Sequence, residues 1–180
     1  AIVTPKEQLK ALVAAEQRFV NAPPGAPGVP VGAELPDCTI AVVVPAYKEE
    51  TQIEKVLSTM PAYIDWIIVV NDASPDRTAE VTQEFARKDK RVVLVNHTVN
   101  QGVGGAIASG YKWARDHDVD IAVVMAGDAQ MDPKDLSRIL APVMRGEVDY
   151  SKANRLVSGR AFQMIPKVRY FGNSALSLLT

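Results

Sequence analysis

Residues 39–72 read TIAVVVPAYKEETQIEKVLSTMPAYIDWIIVVND, and this stretch decides the fold. Thr39–Pro45 and Trp66–Asp72 are β-branched, apolar runs of strand length. A strand that is apolar on successive residues is covered on both faces, which is the habit of parallel sheets. Glu49–Met60, between them, has the spacing of a helix. Strand, helix and strand in that order make a crossover unit joining two parallel strands.

The same alternation continues downstream. A helix is expected over Pro75–Lys88, a strand over Arg91–His97, and a helix from Gly102 to about Asp116. A fourth strand, Asp120–Gly127, and a helix, Pro133–Met144, complete the pattern. The fold class is therefore α/β, a Rossmann-like α/β/α sandwich with a mostly parallel sheet. Upstream, Leu9, Leu12, Val13, Phe19 and Val20 recur at roughly helical spacing, with Thr4 and Pro5 suited to a helix start. Asn21–Pro36, NAPPGAPGVPVGAELP, supports neither helix nor ladder. The expected division is an N-terminal helical extension and linker over 1–37, then one α/β domain over 38–180.

Composition narrows the class. The 180 residues are 47% hydrophobic and 23% charged, as in an ordinary globular protein, and the formal net charge of −1 gives no bulk attraction to nucleic acid. The single cysteine, Cys38, cannot close an intramolecular disulfide, which favours a reducing compartment and a cytoplasmic location. No run of about 18 apolar residues marks a membrane span.

Sheets of this kind bind ligands beyond the carboxyl ends of their strands. Those ends carry Pro45-Ala46-Tyr47-Lys48-Glu49, Asn71-Asp72-Ala73-Ser74, Asn100-Gln101-Gly102 and Asp128-Ala129-Gln130. No Gly-x-Gly-x-x-Gly loop follows the first strand and no P-loop is present, which argues against a dinucleotide oxidoreductase or a P-loop NTPase. Asp128 and Gln130 are two residues apart, so in extended chain both aim oxygens the same way. A rim of acids suits Mg²⁺ or Mn²⁺, which takes oxygen ligands and shares its shell with substrate phosphates. Asp132, ahead of Pro133, reads as a helix cap. Ser74 reads the same way ahead of Pro75, and that would leave Asp72 for a ligand. Gly110 reads as a close approach of its helix to the sheet.

Five segments in order, VVVPAYKEE, VVNDASPDRT, NQGVGGAIASGY, MAGDAQMDP and KANR, resemble the family 2 glycosyltransferases of the GT-A fold, most nearly the dolichyl- and polyprenyl-phosphate sugar synthases. The likeness covers about Thr39 to Asn173. It implies that Pro45, Ala46, Tyr47 and Glu49 hold the nucleotide of a GDP- or UDP-sugar, and that Asp72 contacts its base or ribose. It also brings Gly102 near the donor, although Val103 and Gly104 stand where a basic residue is frequent. Asp128 and Gln130 match ligands of the metal that bridges the donor diphosphate, while Ala126 replaces a further acid.

Downstream, the likeness gives Arg155 to the donor phosphates, with Asp128 and Arg155 assisting departure of the nucleoside diphosphate. Arg169 and Asn173 fall to the acceptor phosphate, with Arg160 adding positive charge. The implied reaction is inverting transfer of a sugar to a polyprenyl or dolichyl phosphate. A phosphate acceptor is already anionic near neutral pH and needs no general base, and no acid follows Asp149 in this sequence. Transfer to a saccharide hydroxyl and a catalytically lapsed nucleotide-sugar module remain alternatives. Beyond Pro166 the apolar residues make one helical face that runs to Thr180 without a stop signal, so the domain is expected to continue further. That helix is expected at the cytoplasmic face of a membrane.

Overall fold

The computed structural model describes residues 3–15, 37–129 and 131–153. The chain forms two compact units, Ala1–Asp149 and Tyr150–Thr180, and every element below belongs to the first. Its order is α1 (Pro5–Ala15), β1 (Ile40–Ala46), α2 (Ile53–Ser58), β2 (Trp66–Asn71), α3 (Thr78–Lys88), β3 (Val92–Asn96), α4 (Gly102–Asp116), β4 (Ile121–Val124), a 3₁₀ turn at Pro133–Asp135 and α5 (Leu136–Met144).

The four strands form one parallel sheet in the order β3-β2-β1-β4. β1 and β2 pair from Ala41↔Trp66 to Ala46↔Asn71, and β1 meets β4 from Ile40↔Ile121 to Val43↔Val124. Alternating residues of the central strands face two cores. Ile40, Val42, Val44, Ile67 and Val69 pack with buried residues of α1, α2 and α5, including Leu9, Ile53, Leu57 and Leu140. Ala41, Val43, Ile68 and Val70 pack with Ala106 and Ala114 of α4. β4 lies on the far side of β1 from β2 and β3, so α4 crosses the face that α2 and α3 leave open.

Gly110 sets how close that crossing comes. A Cβ there would sit 2.2 Å from Val43 Cγ1, so α4 can lie on β1 only without a side chain at 110. The N-terminal helix docks through Leu9 and Val13, both fully buried, and Arg145 donates to the Val13 carbonyl from just beyond α5. Leu12, expected on the same face, is 49% exposed. Cys38 is a half-buried free thiol whose pKa is raised, chiefly by burial. Among the described residues no helix is long and apolar enough to cross a membrane.

Boundaries differ from the sequence expectation at loop ends. The helix expected from Glu49 begins at Ile53, because Glu49–Gln52 form a turn whose Glu49 carbonyl accepts from the Gln52 and Ile53 amides. The helix expected from Pro75 begins at Thr78, and β4 ends at Val124 rather than Gly127. In each case the difference falls in a loop at the carboxyl end of a strand.

Candidate functional site

A sheet of order β3-β2-β1-β4 reverses direction between β1 and β4, and a crevice opens where such strands part. The last hydrogen bond of that ladder runs from Met125 N–H to Val43 O at 3.0 Å. Pro45, two residues on, faces the same side after the ladder has ended, so its missing N–H breaks no pairing. Here lies a cleft of about 220 Å³. Pro45, Ala46, Tyr47 and Glu49 line it from the β1 end, Asp72 from β2, Val103 and Ala106 from α4, and Ala126, Gly127 and Asp128 from beyond β4. Gly127 draws two of these loops together: a Cβ on it would lie 3.2 Å from Pro45 O and 3.4 Å from Glu49 Cγ.

Three strand-end loops turn at a non-glycine residue in the left-handed region. These are Lys48 (φ 60°), Ala73 (φ 54°) and Ala129 (φ 56°). Each such residue costs roughly 1–2 kcal/mol, so the surrounding bonds must hold the loops in place. The bonds are visible. Lys48 N–H donates to Ser74 Oγ (2.9 Å), Glu49 N–H to Thr78 Oγ1 (2.9 Å), and Glu50 N–H to Asp76 Oδ2 (3.3 Å). Arg77 N–H returns a bond to Glu50 Oε2 at 3.0 Å. The segment Ser74–Thr78 therefore scaffolds the β1 loop.

This corrects the role read for Ser74. Its hydroxyl accepts from Lys48, and Asp76 supports the start of α3 by accepting from the Thr78 amide (3.1 Å) and hydroxyl (2.6 Å). Nor is Asp72 left open by default. It is 3% exposed, and its Oδ1 accepts from the Gln101 amide (2.8 Å) and bonds His97 Nδ1 (2.7 Å). Burial pushes its carboxyl up, but the Gln101, His97 and Gly102 donors outweigh burial and hold it below its ordinary range.

Gly102 opens α4 with φ +75°, a conformation glycine adopts without strain. The amides at the start of α4 are engaged within the protein: that of Gln101, just before the helix, by Asp72, and that of Gly102 by Asn100 Oδ1 at 3.1 Å. The next residue, Val103, reaches the cleft. Tyr47 is 45% exposed at the rim, with Lys48 Nζ 5.3 Å from its ring centroid.

The acids at the cleft form an electrostatic group. Glu49 is raised above its ordinary pKa first by burial, then by the charge of Asp128, then by Asp76. Asp132 caps the turn that follows, accepting from Lys134 N–H at 3.0 Å. Among the described residues no three His, Cys, Asp or Glu side chains gather to enclose a metal. Glu49 and Asp128 still fit a hard dication: both are oxygen donors, and the charge of Asp128 disfavours ionisation of Glu49 until a cation joins them. Gln130, Arg155, Arg160, Arg169, Asn173 and the helix expected after Pro166 lie outside the described residues.

Sequence reading missed His97, Ser109, Asp76 and Thr78. Only Asp76 and Thr78 carried a signal, as a side-chain cap ahead of α3.

Comparison with known proteins places this geometry. The family described as Glycosyl transferase family 2 matches residues 41–173. A UDP-N-acetylglucosamine--dolichyl-phosphate N-acetylglucosaminyltransferase of Methanococcus voltae is 30% identical over 81% of this chain and 63% of its own length. A dolichol-phosphate mannosyltransferase of Pyrococcus furiosus is 30% identical over 72% of this chain and 37% of its own. The chain thus spans less than two thirds of the length of either relative. A solved mannosyltransferase from Pyrobaculum calidifontis, in complex with GDP-Man and Mn²⁺, superposes with a TM-score of 0.52 at 20% identity, over 76% of this chain and 39% of that one, and shares its fold. With the family match covering both the parallel sheet and the cleft at its reversal, this chain belongs to glycosyltransferase family 2 and has the GT-A fold.

Proposed function

We propose that the cleft binds the nucleoside diphosphate of a sugar donor, and that the whole protein transfers that sugar, with inversion, to a polyprenyl or dolichyl phosphate. The observation that carries this reading is the meeting of Glu49 and Asp128 at the β1–β4 reversal, in a cleft also lined by Tyr47 and Asp72. Relatives that act on dolichyl phosphate support the lipid acceptor. The donor is a GDP- or UDP-sugar.

In this reading Asp128 is the protein's main ligand to Mg²⁺ or Mn²⁺, with Gln130 beside it. The cation, when bound, offsets charge on the diphosphate as it leaves. Ala126 supplies no carboxylate, so Asp128 and Gln130 leave much of the shell to phosphate and water, and metal binding is coupled to nucleotide binding. Asp72 accepts a hydrogen bond from the nucleoside. Arg155 clamps the donor phosphates, for which a guanidinium fork is suited. Arg169 and Asn173 receive the acceptor phosphate, whose own charge makes it the nucleophile. The chain after Pro166 lies along the cytoplasmic face of a membrane, where a headgroup meets Arg169 while its tail remains in lipid.

The test is transfer of radiolabelled sugar from GDP- and UDP-sugars to polyprenyl phosphate by the full-length protein in liposomes. Product that is labile to mild acid and inverted at the anomeric carbon is expected. Transfer to a saccharide hydroxyl instead would overturn the acceptor assignment.

A further inference from the structure

Behind the cleft, three side chains from three elements form one hydrogen-bonded line. Asp72 at the end of β2 bonds through Oδ1 to His97 Nδ1 at 2.7 Å, and His97 Nε2 bonds to Ser109 Oγ of α4 at 2.8 Å. The His97 and Asp72 side chains are only 6% and 4% exposed. The same loop grips Asp72 by its backbone: Asn100 Nδ2 donates to Asp72 O at 3.0 Å, and Gln101 N–H joins His97 on Oδ1 at 2.8 Å. Next to it, Asn71 Nδ2 donates to Asn96 Oδ1 at 2.9 Å, so the ends of β2 and β3 are tied twice.

Hydrogen-bond chemistry fixes the direction of the first link of this line. Asp72 is held ionised at neutral pH and can only accept, so His97 Nδ1 carries a proton and donates it. Nε2, on the opposite side of the ring, pairs with the Ser109 hydroxyl, which can act as donor or acceptor. The distances resemble those of a nucleophilic triad, but Ser109 lies within α4 rather than at a turn, and among the described residues it is not part of the cleft lining. Its hydroxyl serves the ring, not a substrate.

We infer that His97, oriented by Ser109, is a positioning residue that, with the Gln101 amide, holds the Asp72 carboxylate by Oδ1 and so presents it, in the cleft it lines, to the nucleoside of the donor. This rests on the nucleotide reading above and adds the device that sets its selectivity for a nucleoside over a bare diphosphate. Without this relay the Gln101 amide alone would hold Oδ1, and the carboxylate could swing about its Cβ–Cγ bond. With it, the carboxylate keeps one orientation before the ligand arrives, so no ordering is needed on binding.

The test uses two amides that each copy one ring nitrogen. In His97→Asn the side-chain amide stands near Nδ1 and keeps the bond to Asp72; in His97→Gln it stands near Nε2 and keeps the bond to Ser109. Titration calorimetry with GDP, UDP and pyrophosphate, each with Mn²⁺, is run on wild type, both variants and Ser109→Ala, which preserves helix propensity. His97→Gln should weaken the preferred nucleotide by about tenfold, the worth of one charge-assisted hydrogen bond, while His97→Asn stays within about threefold. Ser109→Ala should fall between them, and pyrophosphate, which has no nucleoside, should bind all four proteins alike.

Equal losses in His97→Asn and His97→Gln, or parallel loss of pyrophosphate, would show a packing role and overturn the inference. Wild type that binds pyrophosphate but neither nucleotide would instead overturn the nucleotide reading, and this inference with it.

Discussion

Asp128 raises the pKa of Glu49: after burial, its charge is the largest influence holding the Glu49 carboxyl above its ordinary value of 4.5. A group whose folded pKa is raised binds more protons folded than unfolded, so its contribution to stability falls as pH rises from about 4.5 through the raised value. Glu49→Gln removes that dependence. Thermal melts should therefore show the variant gaining on wild type as pH rises through this window, and Mn²⁺ with nucleotide should shrink the gap. A gap that widens in favour of wild type over the same pH range would mean that Glu49 is stabilised as an anion.

The two aspartates that flank Ala129–Met131 should separate cleanly. Asp128→Asn is expected to abolish metal-dependent nucleotide binding, because a neutral amide is a poor ligand for a hard dication. Asp132→Asn should leave binding within about twofold, because asparagine caps helix starts as well as aspartate. Calorimetry with Mn²⁺ and nucleotide checks both, and the opposite order of losses would reassign the ligand.

Gly110 and Gly104 share α4 but not its surroundings. Gly110→Ala drives a Cβ to 2.2 Å from Val43 Cγ1, and overpacking of this kind costs about 1–3 kcal/mol. A Cβ on Gly104 meets nothing within 4 Å, so Gly104→Ala should gain up to about 1 kcal/mol of helix propensity. Urea denaturation of the two variants gives the comparison. Equal effects would mean that α4 does not rest on β1 through Gly110.

Ala129 turns the loop after β4 at φ 56°, where an L residue is strained. Ala129→Gly should raise stability by about 1 kcal/mol, since glycine enters this region without a Cβ clash. The looser loop should also weaken nucleotide binding modestly. A loss of stability would place the strain elsewhere.

The alternation of strands and helices was legible because apolar runs and helical spacing are local signals, and so were the Asp132 cap and the Gly110 approach. The relay from Asp72 to Ser109 was not. Its members lie 25 and 12 residues apart and meet only because β2 pairs with β3 and α4 returns across the sheet. Ser74 misled for a related reason. A serine before a proline looks like a cap, yet pairing of β1 with β2 brings Lys48 to its hydroxyl, and Asp76 takes over support of the helix start. Left-handed turns at Lys48, Ala73 and Ala129 were equally hidden, since neither lysine nor alanine advertises that conformation.

The central claim is that the cleft at the β1–β4 reversal holds a nucleoside diphosphate together with a divalent cation. Titration calorimetry of the 180-residue chain with GDP and with UDP, in Mn²⁺ and then in EDTA, addresses it most directly. The account predicts that one of the two nucleotides binds in Mn²⁺, that EDTA removes the heat, and that Asp128→Asn removes it as well. Binding that survives both EDTA and Asp128→Asn, or no binding of either nucleotide at millimolar concentration, would contradict it.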